Sequence, residues 1–402
     1  SFCRAHPGAE ALSPETSITI IGAGIGGLTL ALGLARQGLR PQVFEQAPQV
    51  GEVGAGLSVS PNATRALEAL GLGEFLAQNA NEPLTQWTHH GRTNEDLVEI
   101  DRRNCRQQYG AAYYQLHRAD LHGELLRRCR ALDGDMLHLG RRLVAVEESA
   151  GAVAAIFDSG EAVMSDVLIG ADGVRSTVRD VVFGGGDMAF TGQAAWRGLI
   201  PADELPAWAT EPVSHNWIGP GRTFVTYPIR GRELVNFVAF ARTEEWVDES
   251  WSTPAEPGEI RAAFSDWCDP VMQVLDAMDS KQCFRWGLFS RTPLASLVHG
   301  RCGLIGDAAH PMLPFFGQGA SSAIEDGLIL SRCFEQEGSA ASALAVYNRV
   351  RLERVSHLQR ESNLGAERLQ GLDPYVLRDQ PVKNEDSLGI FRYDPVTVSL
   401  DG

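Results

Sequence analysis

The stretch Gly22-Ala-Gly24-Ile-Gly-Gly27 constrains the fold of this chain more than any other. It follows a short β-branched apolar run, Ile18 to Ile21, and opens LTLALGLARQG, a run of strong helix formers ending at Gly38. Gly-x-Gly-x-x-Gly between a strand and a helix brings a helix N-terminus against a pyrophosphate. The glycines permit the tight turn, and the free N–H groups and macrodipole stabilise the negative charge. A second strand, PQVFEQ, ends in Glu45, which can accept from a ribose 2′-hydroxyl and disfavours a 2′-phosphate there. The order β-α-β opens a doubly wound parallel sheet.

Further along, ATRALEALG predicts a helix from Asn62 that closes on Gly71, and HRADLHGELLRRC one that starts near Asp120. Strands are expected at 153–157 and 166–169, the second running into GADGVRS. Between residues 190 and 242 the pattern changes to AAWRGLI, SHNWI, TFVTYPI and LVNFVAFA, separated by turn chemistry such as GPG and RGR. Successive strands without helices predict an antiparallel sheet, a unit inserted into the first. After residue 303 the parallel-type pattern returns. A long amphipathic helix over roughly 341–369 then carries Leu344, Tyr347, Val350, Val355 and Leu358.

Composition excludes several classes. A net charge of −16 over 402 residues argues against nucleic acid and anionic membranes, because phosphate contacts need basic clusters. The arginine pairs at 102–103, 127–128 and 141–142 sit among acids and read as solvated faces, and the only lysines are Lys281 and Lys383. Seven scattered cysteines without C-x-x-C spacing predict reduced thiols, no metal site and a cytoplasmic chain. No apolar run approaches the roughly 20 residues of a membrane span, and residues 1–17 read as a lead-in without a signal-peptide pattern.

Two more stretches end strands with an Asp facing a glycine loop: Gly170-Ala-Asp172-Gly173-Val-Arg175-Ser176, and GLIGDAAHPMLPFFGQGASSAIEDG with Asp307. Such an Asp can accept hydrogen bonds from a sugar or ribityl hydroxyl, and a plain nicotinamide-dependent dehydrogenase has no need of both. With GAGIGG, Glu45 and HRADLHGELL, in that order, these motifs resemble the FAD-dependent aromatic hydroxylases of the p-hydroxybenzoate hydroxylase fold. The similarity is to the salicylate hydroxylase and 3-hydroxybenzoate 6-hydroxylase branch, and it runs from Ser17 to about residue 370.

The resemblance implies an α/β fold: a Rossmann-like FAD-binding domain, an inserted antiparallel-sheet substrate domain and a C-terminal helical segment. The expected boundaries are 17–80, 111–187 and 285–335 for the discontinuous FAD-binding domain, 81–110 and 188–284 for the substrate domain, and 336–402 for the C-terminal segment. It also implies FAD as cofactor, NADH or NADPH as reductant, O2 as co-substrate and oxygen transfer through a flavin C4a-hydroperoxide. A small aromatic substrate and a monomer or homodimer are expected. In the implied cofactor site, Gly22, Gly24, Gly27 and Glu45 hold the ADP half and Arg118 meets the pyrophosphate. Asp172 and Gly173 serve FAD and NAD(P)H, Asp307 binds the ribityl and ribose region, and Gly317, Gln318, Gly319 and Ala320 lie near the isoalloxazine. A helix opening at Gly319 would stabilise negative charge at the flavin N1–C2=O edge by about 0.3–2 kcal/mol. His310 is expected to be structural.

On the substrate side, strand alternation puts Thr223, Val225, Tyr227 and Ile229 on one face of TFVTYPI, and Phe224 and Thr226 on the other. Relatives point the corresponding Tyr into the pocket, so Tyr227 is the leading catalytic candidate, with Thr223 and Val225 beside it. Members of the branch carry a His where this chain has Thr223 or Phe315. A base near the ring hydroxyl speeds transfer by favouring the phenolate, so its source here is open. Tyr227 can relay through water, His215 can approach from the neighbouring strand, or the substrate needs no base. Arg197 and Arg222 are candidates for a substrate carboxylate, and Phe315, Phe316, Leu313 and Val225 for apolar walls. Rival readings are an epoxidase or N-hydroxylating monooxygenase on a non-phenolic substrate, and a non-catalytic FAD-binding protein. A flavin-dependent halogenase fits poorly, since Trp196-Arg-Gly-Leu-Ile-Pro has one Trp and no lysine lies in the early helices.

Overall fold

The computed structural model describes residues 12–13, 15–49, 51, 55–186, 188–244, 253–279, 283–380 and 383–401. Most of the lead-in, Cys3 and residues 245–252 lie outside them.

A six-stranded sheet is built from β1 (Ile18–Ile21), β2 (Gln42–Glu45), β7 (Leu137–Leu139), β11 (Val167–Gly170), β17 (Val298–His299) and β18 (Cys302–Leu304). Their order is β17-β18-β11-β1-β2-β7, and all pairs but β17–β18 are parallel. β1 is buried along its whole length, as a central parallel strand covered on both faces requires. Helix Ile25–Arg36 packs closely on helix Gly319–Gln336, where the Gly26 and Gly327 positions have only hydrogen to accommodate Ala323 and Thr29. A ribbon of β3 (Gly56–Val59) and β6 (Tyr114–His117) and a small sheet of β8 (Leu143–Glu148), β9 (Val153–Phe157) and β10 (Ala162–Ser165) complete this part.

The inserted unit is a seven-stranded sheet of β4 (Thr85–His90), β5 (Asp96–Asp101), β12 (Met188–Pro201), β13 (Val213–Gly219), β14 (Arg222–Ile229), β15 (Leu234–Arg242) and β16 (Cys283–Arg291). The order is β16-β12-β15-β14-β13-β4-β5, antiparallel except between β13 and β4. One face carries Trp217, Phe224 and Phe237 into a core with Phe264, Trp267 and Val271 from the helical stretch beyond. The other face meets the β3–β6 ribbon: Gln115 donates to Ser214 at 2.8 Å, and the Gly56 N–H donates to the Asn236 carbonyl at 2.7 Å.

Two expected boundaries shift. A division at 284/285 would cut β16, whose pairing with β12 extends the inserted sheet to Arg291. The helix expected over 341–369 runs Ala340–Asn363, breaks at Leu364 and resumes as Gly365–Leu369. At the break Gly365 lies against Phe315, where a Cβ would overlap the phenylalanine's own. Among the described residues no helix is long and apolar enough to cross a membrane.

Candidate active site

The first glycine turn divides its tasks between positions. Gly22 has φ +105°, and a Cβ there would overlap the Ala171 carbonyl oxygen. A Cβ on Gly27 would overlap the Gly22 carbonyl oxygen. At Gly24, by contrast, a Cβ meets nothing within 4 Å. This glycine caps helix Ile25–Arg36 without a side-chain partner, which leaves the helix N-terminus available to an anion. Glu45 accepts from the backbone N–H of Ala23 and of Ala47, both at 2.9 Å, which fixes its carboxylate beside the turn. Arg118 begins helix Arg118–Leu132, its N–H bonded to the Ala55 carbonyl.

Asp172 is tied to the helix that follows it: it accepts from the Ser176 hydroxyl and from the Val178 N–H at 3.2 Å, while burial pushes its carboxyl up. Gly173 beside it has φ +79°. Asp307 differs. Its side chain is open to solvent, yet the surrounding protein desolvates it and pushes its carboxyl up, against the opposing charges of His310 and Arg118. A solvent-reachable carboxylate that protein nevertheless desolvates lies in a cleft. The Cβ position of Gly319 is 3.8 Å from its Oδ1, so Asp307 and the start of helix Gly319–Gln336 share that cleft. This helix, too, has no side-chain cap. Gly317 turns the chain into it at φ +61° and is exposed. Ala320 is half-buried on its first turn.

Gln318 does not face the cleft with its side chain. It is buried in a network with Ser60 at 3.1 Å and Asn62 at 3.2 Å, and Asn62 continues to Glu325 at 2.6 Å. Glu325 and Asp326 meet Arg351 at 2.6 and 2.7 Å, and all three are fully buried. Asp326 also binds His310 Nε2 at 2.6 Å and accepts from the Gly306 N–H at 2.9 Å. His310 is therefore a structural partner, holding the Asp307 loop to the helix.

Strand register gives the face of the inserted sheet that meets the cleft. Cross-strand partners place Tyr227 beside Asn236 and Ser214, Val225 beside Val238 and Asn216, and Thr223 beside Phe240 and Ile218. On β12, Arg197 lies beside Val238 and Ala195 beside Phe240. The first of these rows is covered by the β3–β6 ribbon. Added Cβ atoms on Gly56 would approach Tyr227 and Asn236 within 2.7 Å, and Ser58 on the same ribbon lies near enough to the Tyr227 hydroxyl to act on its pKa. The third row is covered by Leu313 and Phe315, whose ring lies 5.3 Å from that of Phe240. In the middle row the two central valines keep some exposure, while both ends are buried. Val225 and Val238 are half-buried in strands otherwise buried around them. Arg197, 3 % exposed, lies at one end of this row with its guanidinium over Trp286 (5.5 Å) and Phe284 (5.7 Å), and Asn216 lies at the other. Phe316 turns away to stack under Arg368 at 4.6 Å.

Two candidates are on the wrong face. His215 pairs with Thr226, not with Tyr227's row, and points into the core with Trp208 and Trp217. Its Nδ1 meets His89 Nε2 at 3.0 Å, and burial with the neighbouring imidazole lowers its pKa to about 4. Arg222 is paired with Asp266 at 2.6 Å beside Trp267. The His215 reading failed because register between strands cannot be read from one strand's alternation, whereas the alternation that places Thr223 already puts Arg222 on the opposite face. Asn216, Asn236 and Gly365 were missed. The parity that places Tyr227 would have found Asn216 once His215 was known to pair with Thr226.

A turn for a pyrophosphate, a cleft aspartate and an uncapped helix opposite an antiparallel sheet define a dinucleotide-binding flavoprotein with a separate substrate unit. The family model described as an FAD binding domain matches residues 15–362. The 3-hydroxybenzoate 6-hydroxylase 1 of Aquipseudomonas alcaligenes is 36% identical over 354 residues, covering 88% of this chain and 89% of that protein. A 3-amino-4-hydroxybenzoate 2-monooxygenase of Streptomyces cremeus is 37% identical over 359 residues, 88% of this chain and 87% of its own. A salicylate hydroxylase substrate complex superposes with a TM-score of 0.80 at 28% identity, covering 94% of this chain and 96% of that one. The chain belongs to the FAD-dependent aromatic hydroxylases. It is an FAD-dependent monooxygenase that consumes NAD(P)H and O2, in agreement with the expected family and fold class.

Proposed function

We propose that this monooxygenase hydroxylates a small hydroxylated aromatic acid lying on the middle row of the sheet, between Val225 and Val238 and the turn Gly317–Ala320. The observation that carries the reading is that gap: two half-buried valines amid buried strand neighbours, walled by Phe315 and Leu313 on one side and Tyr227 on the other. The relatives named for hydroxybenzoate and aminohydroxybenzoate substrates support the same class.

The described residues fit FAD. Gly22, Gly24 and Gly27 shape the pyrophosphate turn, with Arg118 as the cation and Glu45 at the ribose. Asp307 would take the ribityl hydroxyls, Asp172 and Gly173 would help hold the cofactor, and the N–H groups of Gly319 and Ala320 would be available to the flavin. When bound, FAD carries electrons from NAD(P)H and activates O2 for transfer to the substrate ring. The chain's own residues position and dry the reactants. Phe315, Leu313 and Val225 exclude water from the gap, which limits wasteful release of reduced oxygen. Burial pushes the Tyr227 hydroxyl well up, so it stays neutral and works as a hydrogen-bond donor and acceptor, passing the ring-hydroxyl proton towards Ser58. Thr223 contributes a hydroxyl and Phe315 no proton carrier at all. A cytoplasmic location is part of the reading, in keeping with six described cysteines that are all buried and unpaired, and so is a monomer or homodimer.

The test is anaerobic bleaching of the holoenzyme by NADH and by NADPH, with and without hydroxybenzoates, aminohydroxybenzoates and hydroxypyridines. A many-fold acceleration by an aromatic acid is expected. Bleaching at one rate regardless of any aromatic compound overturns the substrate class, and no bleaching by either nucleotide overturns turnover itself.

A further inference from the structure

The sheet face that carries the gap continues beyond the wall of Leu313 and Phe315. Side chains two residues apart on a strand share a face. Val238, Phe240 and Arg242 of β15 therefore lie in line, with Arg197, Ala195 and Gln193 of β12 as their cross-strand partners. The gap is at Val238, and the wall covers Phe240 and Ala195. Past the wall, Gln193 and Arg242 line a cavity of about 730 Å³. Leu313 belongs to both sides: it packs in the cluster of Phe240 and Val238, and it lines the cavity.

The gap needs a way in. Both ends of its row are buried, the β3–β6 ribbon closes the Tyr227 side, and the remaining side is the one assigned above to the flavin. That leaves the wall. Leu313 lies in an irregular stretch just before the short turn Pro314–Phe316. Its N–H donates to the Asn363 side-chain carbonyl at 3.2 Å, a long bond, and Asn363 itself lines the cavity. Asn363 is also the last residue of its helix, at the break before Gly365.

The cavity is polar where the gap is apolar. Gln193, 3 % exposed, shares one hydrogen bond of 2.8 Å with Gln370. Whichever way the two amides are turned, each keeps one buried polar atom without a partner. Ser290 and Asn363 add further hydrogen-bonding groups, so a hydroxylated acid can exchange water for protein contacts here before it enters the dry gap. Arg242 is accompanied by Glu244 and Glu367, and these opposed charges give an anion no net attraction. Such a lining suits passage better than storage.

We propose that the aromatic acid enters and leaves the gap through this cavity, passing Leu313. This rests on the reading of the gap as the substrate site and adds the route to it. Asn363 then sets how readily the wall opens, because it holds the Leu313 backbone from the cavity side.

The experiment mixes the FAD-loaded protein rapidly with 3-hydroxybenzoate, 4-hydroxybenzoate and 3-amino-4-hydroxybenzoate and follows the flavin absorbance, which yields association and dissociation rates. Ser290→Trp and Glu367→Trp each place an indole at a separate point of the cavity lining. An obstacle in a passage raises one barrier that is met from both directions. Both variants should therefore slow association and dissociation together, by at least about ten-fold, with Kd unchanged. Flavin content and urea unfolding at parental values show that the fold is intact, and Glu367, exposed on its helix, tolerates the change if Ser290 does not. Asn363→Ala frees the Leu313 N–H and should raise both rates. A well-folded Glu367→Trp protein with both parental rates overturns the proposal, and so does a loss confined to one rate, which is a change of affinity. An Asn363→Ala protein that is slower in both directions overturns Leu313 as the point of crossing. If none of the three acids alters the flavin spectrum of the unaltered protein, the aromatic-acid reading falls and the route falls with it.

Discussion

Gly365 and Phe315 are in such close contact that a Cβ on the glycine would lie 2.3 Å from the phenylalanine Cβ. The contact joins the break between the two C-terminal helices to the residue that walls the substrate gap, and Phe315 is held from its other side by Phe240. Gly365→Ala must push Phe315 towards the sheet. The expected loss is about 1–3 kcal/mol of stability, as for other overpacked sites, together with weaker aromatic binding and unchanged flavin content. Urea unfolding and flavin-monitored titration measure the two effects. A variant that binds aromatic acids normally would detach Phe315 from the gap.

The glycines of the first turn should fail in different ways. Gly27→Ala places a methyl on a backbone oxygen, so the protein should lose stability before it meets any cofactor. Gly24→Ala has room for its methyl, but only in the space assigned to the pyrophosphate. It should fold with near-normal stability and purify largely colourless. The flavin-to-protein absorbance ratio and an unfolding curve for each variant decide between these outcomes.

Asp307→Ala tests the second cleft. Its carboxylate is reachable by solvent and has its pKa raised by the protein around it, so removing it relieves desolvation and costs the fold little. The variant should be as stable as the parent without FAD and bind FAD at least about ten-fold more weakly, one charge-assisted hydrogen bond's worth. A fully yellow variant would refute the role.

The nucleotide-binding half was legible because its information is local. Gly22 to Gly27, Glu45 and Asp307 each sit where a strand ends and a turn begins, and such junctions are spelled by glycines and apolar runs within a few residues. Alternation along TFVTYPI likewise placed Thr223, Val225 and Tyr227 on one face. What alternation could not give is the relation between strands. His215 is separated from Tyr227 by one residue of register, and that single step moves it to the opposite core. Asn216 gained its place by the same step. Gly365 was illegible for another reason: its partner is 50 positions away and joined to it only through packing.

The buried ionic cluster predicts an acid limb of stability. Burial alone would raise the Asp326 carboxyl, but His310 and Arg351 outweigh it and hold the pKa down at about 2. A depressed carboxyl contributes stability that is fully present above the ordinary carboxylate range, near 3.9, and is lost as pH falls through its folded value. The stability difference between the unaltered protein and Asp326→Asn should therefore be constant near neutrality and shrink between about pH 4 and pH 2. Arg351→Met should be the harsher change, by about 3–5 kcal/mol, since it leaves Glu325 and Asp326 buried without their shared cation. Denaturant unfolding at pH 7, 5 and 3 is the measurement.

Tyr227→Phe separates the tyrosine's bulk from its hydroxyl. The ring is 7 % exposed and walls the gap, so the variant should keep its fold, its flavin and most of its aromatic affinity. Burial raises the hydroxyl's pKa so far that it does not ionise near neutrality, so it cannot be the source of an alkaline limb in the rate profile. If it carries the substrate's proton towards Ser58, its removal should slow turnover by about 10²-fold or more, the usual contribution of a positioned proton carrier, without moving the pH at which the rate changes. A greater share of NAD(P)H should then end as hydrogen peroxide, since reduced flavin still meets O2 while transfer to the ring is slowed. Stopped-flow rates across pH, with peroxide measured against NAD(P)H consumed, test this. A shifted pH profile would mean that Tyr227 is itself the ionising group, and unchanged rate and coupling would place the proton's exit elsewhere.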